Sequence, residues 1–220
     1  MKKNKMMRAA VALMVVTLLT LSVVSGTFAK YVASGSGTDS ARVAKFGVTV
    51  GASGTLFSKN YVNVTNGNKP GEANLTVKSE DTDKVVAPGT ENGEGMTLSV
   101  TGKPEVDVKV TFNVETATDI HLGDDYYPVK FTLKKGTTAL VTDGTLAEVK
   151  EELDELELDY AAGTTLDTTD KITLTWKWAF NGDDAKDTKL GNIAAGTEEA
   201  TSKDSINTAF KATVTVTQVD

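Results

Sequence analysis

The chain has no cysteine and only one histidine among its 220 residues. Without cysteine no disulfide can hold the fold together, so stability must come from a buried core or from assembly. A single histidine, His121, excludes an HExxH zinc site and any site built on two imidazoles. Walker and Rossmann glycine patterns are also missing, as is the GxSxG motif of serine hydrolases. The sequence therefore predicts a protein that is not an enzyme.

Basic residues are fewer than acidic ones, 23 against 30, which gives a formal net charge of −7. An acidic surface repels nucleic acid and anionic lipid. We therefore expect no nucleic-acid partner.

Residues 1–29 have the composition of a signal peptide. Four basic residues precede an apolar run at residues 9–24, which small residues follow. This run is shorter than the roughly 20 residues that span a bilayer, although a retained membrane anchor remains the alternative. Thr27 and Ala29 suit the −3 and −1 positions of a cleavage site, so we expect cleavage between Ala29 and Lys30. The exported chain would then have 191 residues and a net charge of −11, since the removed part carries four basic residues and no acidic ones.

Beyond residue 41 the apolar residues recur mainly at every second position, the period of a strand with one buried face. The clearest run is residues 106–114, where valine or phenylalanine alternates with polar residues. About eight to ten such strands predict an antiparallel, jelly-roll-like β-sandwich, with residues 41–220 as a single domain. Trp176 and Trp178 fall on the core face of one strand, and a sugar-stacking surface is the alternative.

Residues 145–160 break this period, because apolar residues there recur every three or four positions. Thr145 and Glu148 match a capping box, so we predict one amphipathic helix over about 145–160. Its outer face is acidic and is predicted to face solvent, with a partner-binding helix as the alternative. The polar, acidic stretch Asn181–Asn192 is predicted to be a loop.

Two acidic stretches offer the oxygen ligands that calcium prefers. An EF-hand does not fit, because Ala185 would occupy the third position and Thr188 the position that requires glycine. We expect solvated acidic turns, with a looser structural calcium site as the alternative, and no other cofactor. The carboxylates concerned are Asp183, Asp184 and Asp187, together with Asp124 and Asp125.

The sequence resembles a known family at several segments. They are the junction GTFAKYVASGSGTDSARVAKFGV and then VVAPGT, GKPEVDVKVTF, YYPVKFTL, LTWKWAF and DTKLG. Together these are similar to the TasA and camelysin family of exported Gram-positive proteins, which the SipW type of signal peptidase processes. The resemblance covers most of the exported chain. It implies a jelly-roll subunit that polymerises head to tail with itself into extracellular biofilm fibres by donor-strand exchange.

The same resemblance assigns the donor strand to the start of the exported chain. The donor residues would be Lys30, Tyr31, Val32, Ala33, Ser34, Gly35, Ser36, Gly37 and Thr38. The residues themselves agree, because segment 30–40 has three apolar residues after Lys30 and continues with glycine and serine before the first patterned strand. A strand offered to an open sheet edge satisfies backbone groups there, and a head-to-tail contact propagates as a filament. A mobile tail is the alternative.

These observations predict a secreted structural subunit of extracellular fibres or biofilm matrix, located in the matrix or at the cell surface. Assembly would need side contacts between subunits, a high local concentration or a nucleating accessory protein. Two alternatives stay open. One is a monomeric surface adhesin, and the other is a secreted hydrolase with a Ser-His-Asp site around His121. The metalloprotease activity attributed to camelysin is not supported by one histidine and no zinc motif.

Overall fold

The computed structural model describes residues 41–64, 75–80, 82–180 and 182–219. Val43–Asp220 forms one compact unit, which contains all the described strands and helices. The predicted signal peptide and segment 30–40 lie outside the described residues.

Five antiparallel strands form the larger sheet. They are β1 (Val48–Gly54), β4 (Glu91–Gly102), β7 (Val129–Lys135), β8 (Thr138–Gly144) and β10 (Ile172–Trp178), in the spatial order β1-β4-β10-β7-β8. The inward side chains of β10 alternate along the strand as the sequence predicts. Trp176 and Trp178 are 2% and 5% exposed, so the prediction that both belong to the core is confirmed.

Three further antiparallel strands form a second sheet, in the order β12-β5-β9. They are β5 (Val108–Thr118), β9 (Glu157–Tyr160) and β12 (Ala209–Gln218). Val108 and Val110 on β5 are fully buried, and side chains from both sheets share one hydrophobic core. The molecule is therefore mainly β and antiparallel, as the alternating pattern predicts.

Two small antiparallel pairs complete the described strands. One consists of β2 (Asn60–Val64) and β3 (Leu75–Lys78), and the other of β6 (His121–Leu122) and β11 (Asp204–Ser205). Tyr61 on β2 meets the ring of Trp176 edge-on, with 5.8 Å between the ring centroids. The indole N–H of Trp176 donates to the carbonyl of Leu56, so this buried polar group has a partner.

The predicted helix is present but shorter than expected. Helix α1 (Leu146–Glu155) begins at the predicted capping box, in which Thr145 and Glu148 each accept a backbone N–H of the other. It ends at Glu155 rather than near Tyr160, because the chain turns there into β9. As part of β9, Leu158 lies opposite Val110 in the ladder and is buried. A helix continued to Tyr160 would not form this pairing.

A second helix, α2 (Asp184–Ala194), occupies most of the stretch predicted to be a loop. The prediction of a single helix is therefore wrong. Asp183 caps α2 by accepting a hydrogen bond from the backbone N–H of Lys186 at 3.1 Å. Only Leu190 and Ile193 of this helix are buried, so its apolar stripe is too sparse to produce a helical period in the sequence.

The glycines of β1 and β4 discussed here lie within paired strands of the larger sheet and not in turns. Gly51–Gly54 does not form a turn but continues β1 and pairs with Met96–Ser99. Gly95 has a φ of +64°, and a Cβ added there would lie 2.0 Å from the carbonyl oxygen of Leu174. Only glycine lets β4 pass β10 this closely at the irregularity between Leu174 and Trp176.

Two side chains of α1 bind the backbone of β5. Asp154 Oδ1 accepts the N–H of Val114 at 2.7 Å, and the Lys150 ammonium donates to the carbonyl of Val114 at 2.8 Å. Lys150 and Asp154 also form an ion pair with each other. The hydrogen bonds from Lys150 and from Val114 lower the pKa of Asp154 below its usual value of 3.8.

We predict that Asp154→Ala lowers the free energy of unfolding at pH 7 by about 1–2 kcal/mol, because the N–H of Val114 loses its acceptor. Because the pKa of Asp154 is lowered in the folded state, its contribution is present above pH 3.8 and is lost as the pH falls further. The difference between the two proteins in urea unfolding should therefore shrink below pH 3.8. Glu151→Ala, in the same helix, is the control and should change stability by less than about 0.5 kcal/mol. Equal losses from both variants would contradict this anchoring role.

Candidate functional site

The outer edge of β12 carries no neighbouring strand within the described part of the chain, since β5 is its only strand partner. The inward side chains of β12 are only half-buried, whereas Val110 and Phe112 on the adjacent β5 are buried. These half-buried residues are Phe210, Ala212, Val214 and Val216. An apolar row at an unpaired edge is a surface that another strand can cover.

Strand β1 is the edge strand of the larger sheet and pairs only with β4. Val50 lies directly opposite Val100 in the ladder, so both side chains point to the same, inward face. Val100 packs against the core, but Val50 is 46% exposed. The inward face of β1 is therefore as incompletely covered as that of β12.

We infer from the position of α1 that the two open edges lie on the same side of the domain. On β5, the N–H and C=O of Val114 point away from β12 and bind α1. Helix α1 also contacts β7 and β8, at the far end of the larger sheet from β1. β12 must therefore lie toward the β1 end. We refer to these two open edges together as the edge cleft; its residues are Val48, Val50 and Ala52 of β1 and Phe210, Ala212, Val214 and Val216 of β12.

The surroundings of His121 are those of a structural residue. Its Nδ1 donates to the carbonyl of Gly123 at 2.9 Å, and its ring stacks on Tyr127 at 5.3 Å between centroids. Ser205, its partner in the ladder, donates its hydroxyl to the carbonyl of Asn207. The described residues thus include no serine hydroxyl hydrogen-bonded to His121.

Asp119, two residues before His121, serves the start of α1. Both of its carboxylate oxygens accept the N–H of Leu146 at 3.0 Å. Burial raises the pKa of Asp119, while the hydrogen bonds from Leu146 and Ala147 act in the opposite direction. This carboxylate satisfies amide groups at the positive end of the helix, which is a common structural role.

Most of the acidic residues considered for calcium have partners within the protein. Asp124 pairs with Lys203, and Asp125 lies 3.8 Å from Lys186. Asp183 caps α2, as described above. No three histidine, aspartate or glutamate residues converge on one point within the described ranges. A looser calcium site remains the alternative to the predicted solvated turns.

The predicted cleavage position, Ala29 and Lys30, and the predicted donor residues Lys30 to Thr38 lie outside the described residues. The edge cleft was not predicted from the sequence. Alternation in β1 and β12 predicted two strands, but it carried no information about which strand would lie at an edge.

Comparison of the chain with protein-family models, with curated proteins and with solved structures finds no match. Among the described helices, none is long and apolar enough to cross a membrane.

We predict that backbone amides of β12 alternate between slow and fast hydrogen exchange, because every second N–H points away from β5. The backbone amides in the middle of β5 should all exchange slowly, because this strand has neighbours on both flanks. Exchange is best followed by NMR on a chain starting at Ala41, so that segment 30–40 cannot cover the edge. Uniform protection along β12 would show that this edge is covered and would contradict an open cleft.

Proposed function

We propose that the protein is a secreted structural subunit of extracellular fibres or biofilm matrix, built on a jelly-roll-like sandwich. Segment Lys30 to Thr38 of one subunit inserts into the edge cleft of the next. The edge cleft is the observation that carries this proposal. It offers an unpaired strand edge, half-buried apolar side chains on β12 and the exposed Val50 on β1.

The pattern of the donor segment suits such a cleft. Tyr31 and Ala33 alternate with Val32, so the segment can direct apolar side chains to either wall while its backbone pairs with β12 or β1. Lys30 and the new amino terminus would add two positive charges at its start. The rest of the exported chain is acidic, so the donor and the body of the neighbouring subunit have complementary charge.

The energies of the donor segment alone nearly cancel. Burying Tyr31 and Val32 contributes roughly 4 kcal/mol, and about six ladder hydrogen bonds contribute roughly 6 more. Ordering eight or nine residues costs on the order of 10 kcal/mol. The additional burial of Val50 and Val214 in the cleft then favours insertion. Assembly should therefore depend strongly on concentration, on further contacts between subunits or on a nucleating partner.

We predict that protein starting at Lys30 forms filaments and that protein starting at Ala41 stays monomeric. The shorter chain lacks the donor segment but keeps every described strand. Light scattering and negative-stain microscopy over a concentration series compare the two, and circular dichroism checks that the shorter chain is folded. Filaments from the Ala41 chain would exclude the donor role of segment 30–40. Monomers from both chains at every concentration would favour a monomeric adhesin.

A second prediction concerns the acceptor side. Val50→Lys should prevent filament growth, because it places a charge on the wall of the edge cleft where the donor would bury apolar atoms. Val50 is 46% exposed, so the subunit itself should fold and keep its thermal stability to within a few degrees.

Val43→Lys is the matched control for Val50→Lys. It introduces the same charge at a valine that is 90% exposed and lies before β1, outside the cleft. This variant should polymerise like the parent protein. If Val50→Lys polymerised equally well, the donor would have to bind elsewhere.

A further inference from the structure

A groove with a volume of about 400 Å³ lies beside α2, between this helix, residues 84–88 and residues 206–208. It shares no residue with the edge cleft. Its lining is mainly apolar and includes Val85, Val86, Ile120, Trp178, Leu190 and Ile206. Grooves of this size, with apolar walls and a few polar groups, are typical of small-molecule sites.

Two polar atoms in residues of the lining have no hydrogen-bond partner. They are Asp187 Oδ2 and Thr208 Oγ1, and both are buried. The other oxygen of Asp187 is well bound, since it accepts the hydroxyl of Tyr126 at 2.6 Å and the indole N–H of Trp178 at 3.2 Å. Buried polar atoms without partners cost free energy, so each of these two lining residues would be stabilised by a hydrogen-bond donor.

The charges near Asp187 show which donor suits it. Lys186, its neighbour on α2, lies 3.8 Å from Asp125 and 3.9 Å from Asp183 and so interacts with other carboxylates. Burial and the nearby charges of Asp184 and Asp183 raise the pKa of Asp187. Lys84 is the other charged residue of the lining, but it is exposed, so water and salt screen it. A positively charged donor would therefore be favoured over a neutral one.

Gly191 keeps the groove open at a cost to the helix. It lies inside α2, where glycine is less favourable than alanine. A Cβ added to Gly191 would meet no atom within 4 Å, so packing inside the subunit does not require a glycine. Because Gly191 lines the groove, any larger side chain there would reduce the space for a ligand.

We propose that this groove binds a small primary amine with an apolar body. The apolar body lies against Trp178 and Leu190, and the ammonium group donates to the free oxygen of Asp187 and to the hydroxyl of Thr208. Both acceptor atoms are covered from water in the unliganded subunit, so binding requires a local movement of the groove wall that exposes them. The ammonium supplies donors to both oxygens and the counter-charge that Asp187 lacks. This proposal does not depend on polymerisation.

The test uses protein produced from the full 220-residue chain, with 2-phenylethylamine as the probe and 2-phenylethanol as its neutral counterpart. Isothermal titration should show saturable binding of the amine, about tenfold or more tighter than that of the alcohol. Asp187→Asn should weaken amine binding about tenfold while changing alcohol binding less than about threefold. A merely structural disturbance would instead weaken both ligands together.

Two helix variants test the location. Gly191→Leu should abolish amine binding because its side chain fills the groove, and it should not lower thermal stability. Ala185→Leu adds the same side chain on the exposed face of α2, outside the lining, and should bind the amine like the parent. The proposal is overturned if the parent shows no saturable amine binding, or if Gly191→Leu retains it. Equal affinity for amine and alcohol would also overturn it.

Discussion

The packing of β5 is the constraint on which the rest of the structure depends. Its inward side chains, from Val108 to Val114, face the larger sheet and are almost inaccessible to water. β12 lies along one flank, while β9 and then α1 occupy the other. β12 and β9 are therefore placed by backbone pairing as well as by burial. Helix α1 is placed by side-chain hydrogen bonds to the β5 backbone. The chain has no cysteine, so no disulfide bond holds these elements in place.

Much of the fold could be predicted because strands with one buried face leave a strong period in the sequence. The alternation around Val110 and around Leu174 predicted β5 and β10, and the pair Thr145 and Glu148 predicted where α1 begins. The end of α1 was predicted too late. Leu156 and Tyr160 continue the helical spacing, yet Tyr160 pairs with Val108 of β5 and Leu156 packs against the core. Helix α2 was missed because only two of its side chains reach the core.

The candidate sites were harder to predict, since each combines residues that are far apart in the chain. The edge cleft joins β1 to β12, which are separated by about 150 residues in the sequence. The groove beside α2 likewise brings Val85 together with Leu190 and Thr208. A local sequence pattern cannot show that such distant residues lie close together in the fold. Whether the inward face of a strand is exposed can be judged only when the strand order of the sheet is known. For Asp187, the sequence showed an acidic cluster but could not show that one of its oxygens is buried without a partner.

The contact between α1 and Val114 has a consequence for the direction in which the smaller sheet can grow. The carboxylate of Asp154 and the ammonium of Lys150 take the places that a carbonyl and an amide of an adjacent strand would occupy. Past the four residues of β9, this flank of β5 is thus closed to any further strand by two side chains. A full-length strand can extend the sheet only along β12. The domain therefore has a built-in polarity, with a helix sealing one flank of its central strand and an unpaired edge at the other end of the same sheet.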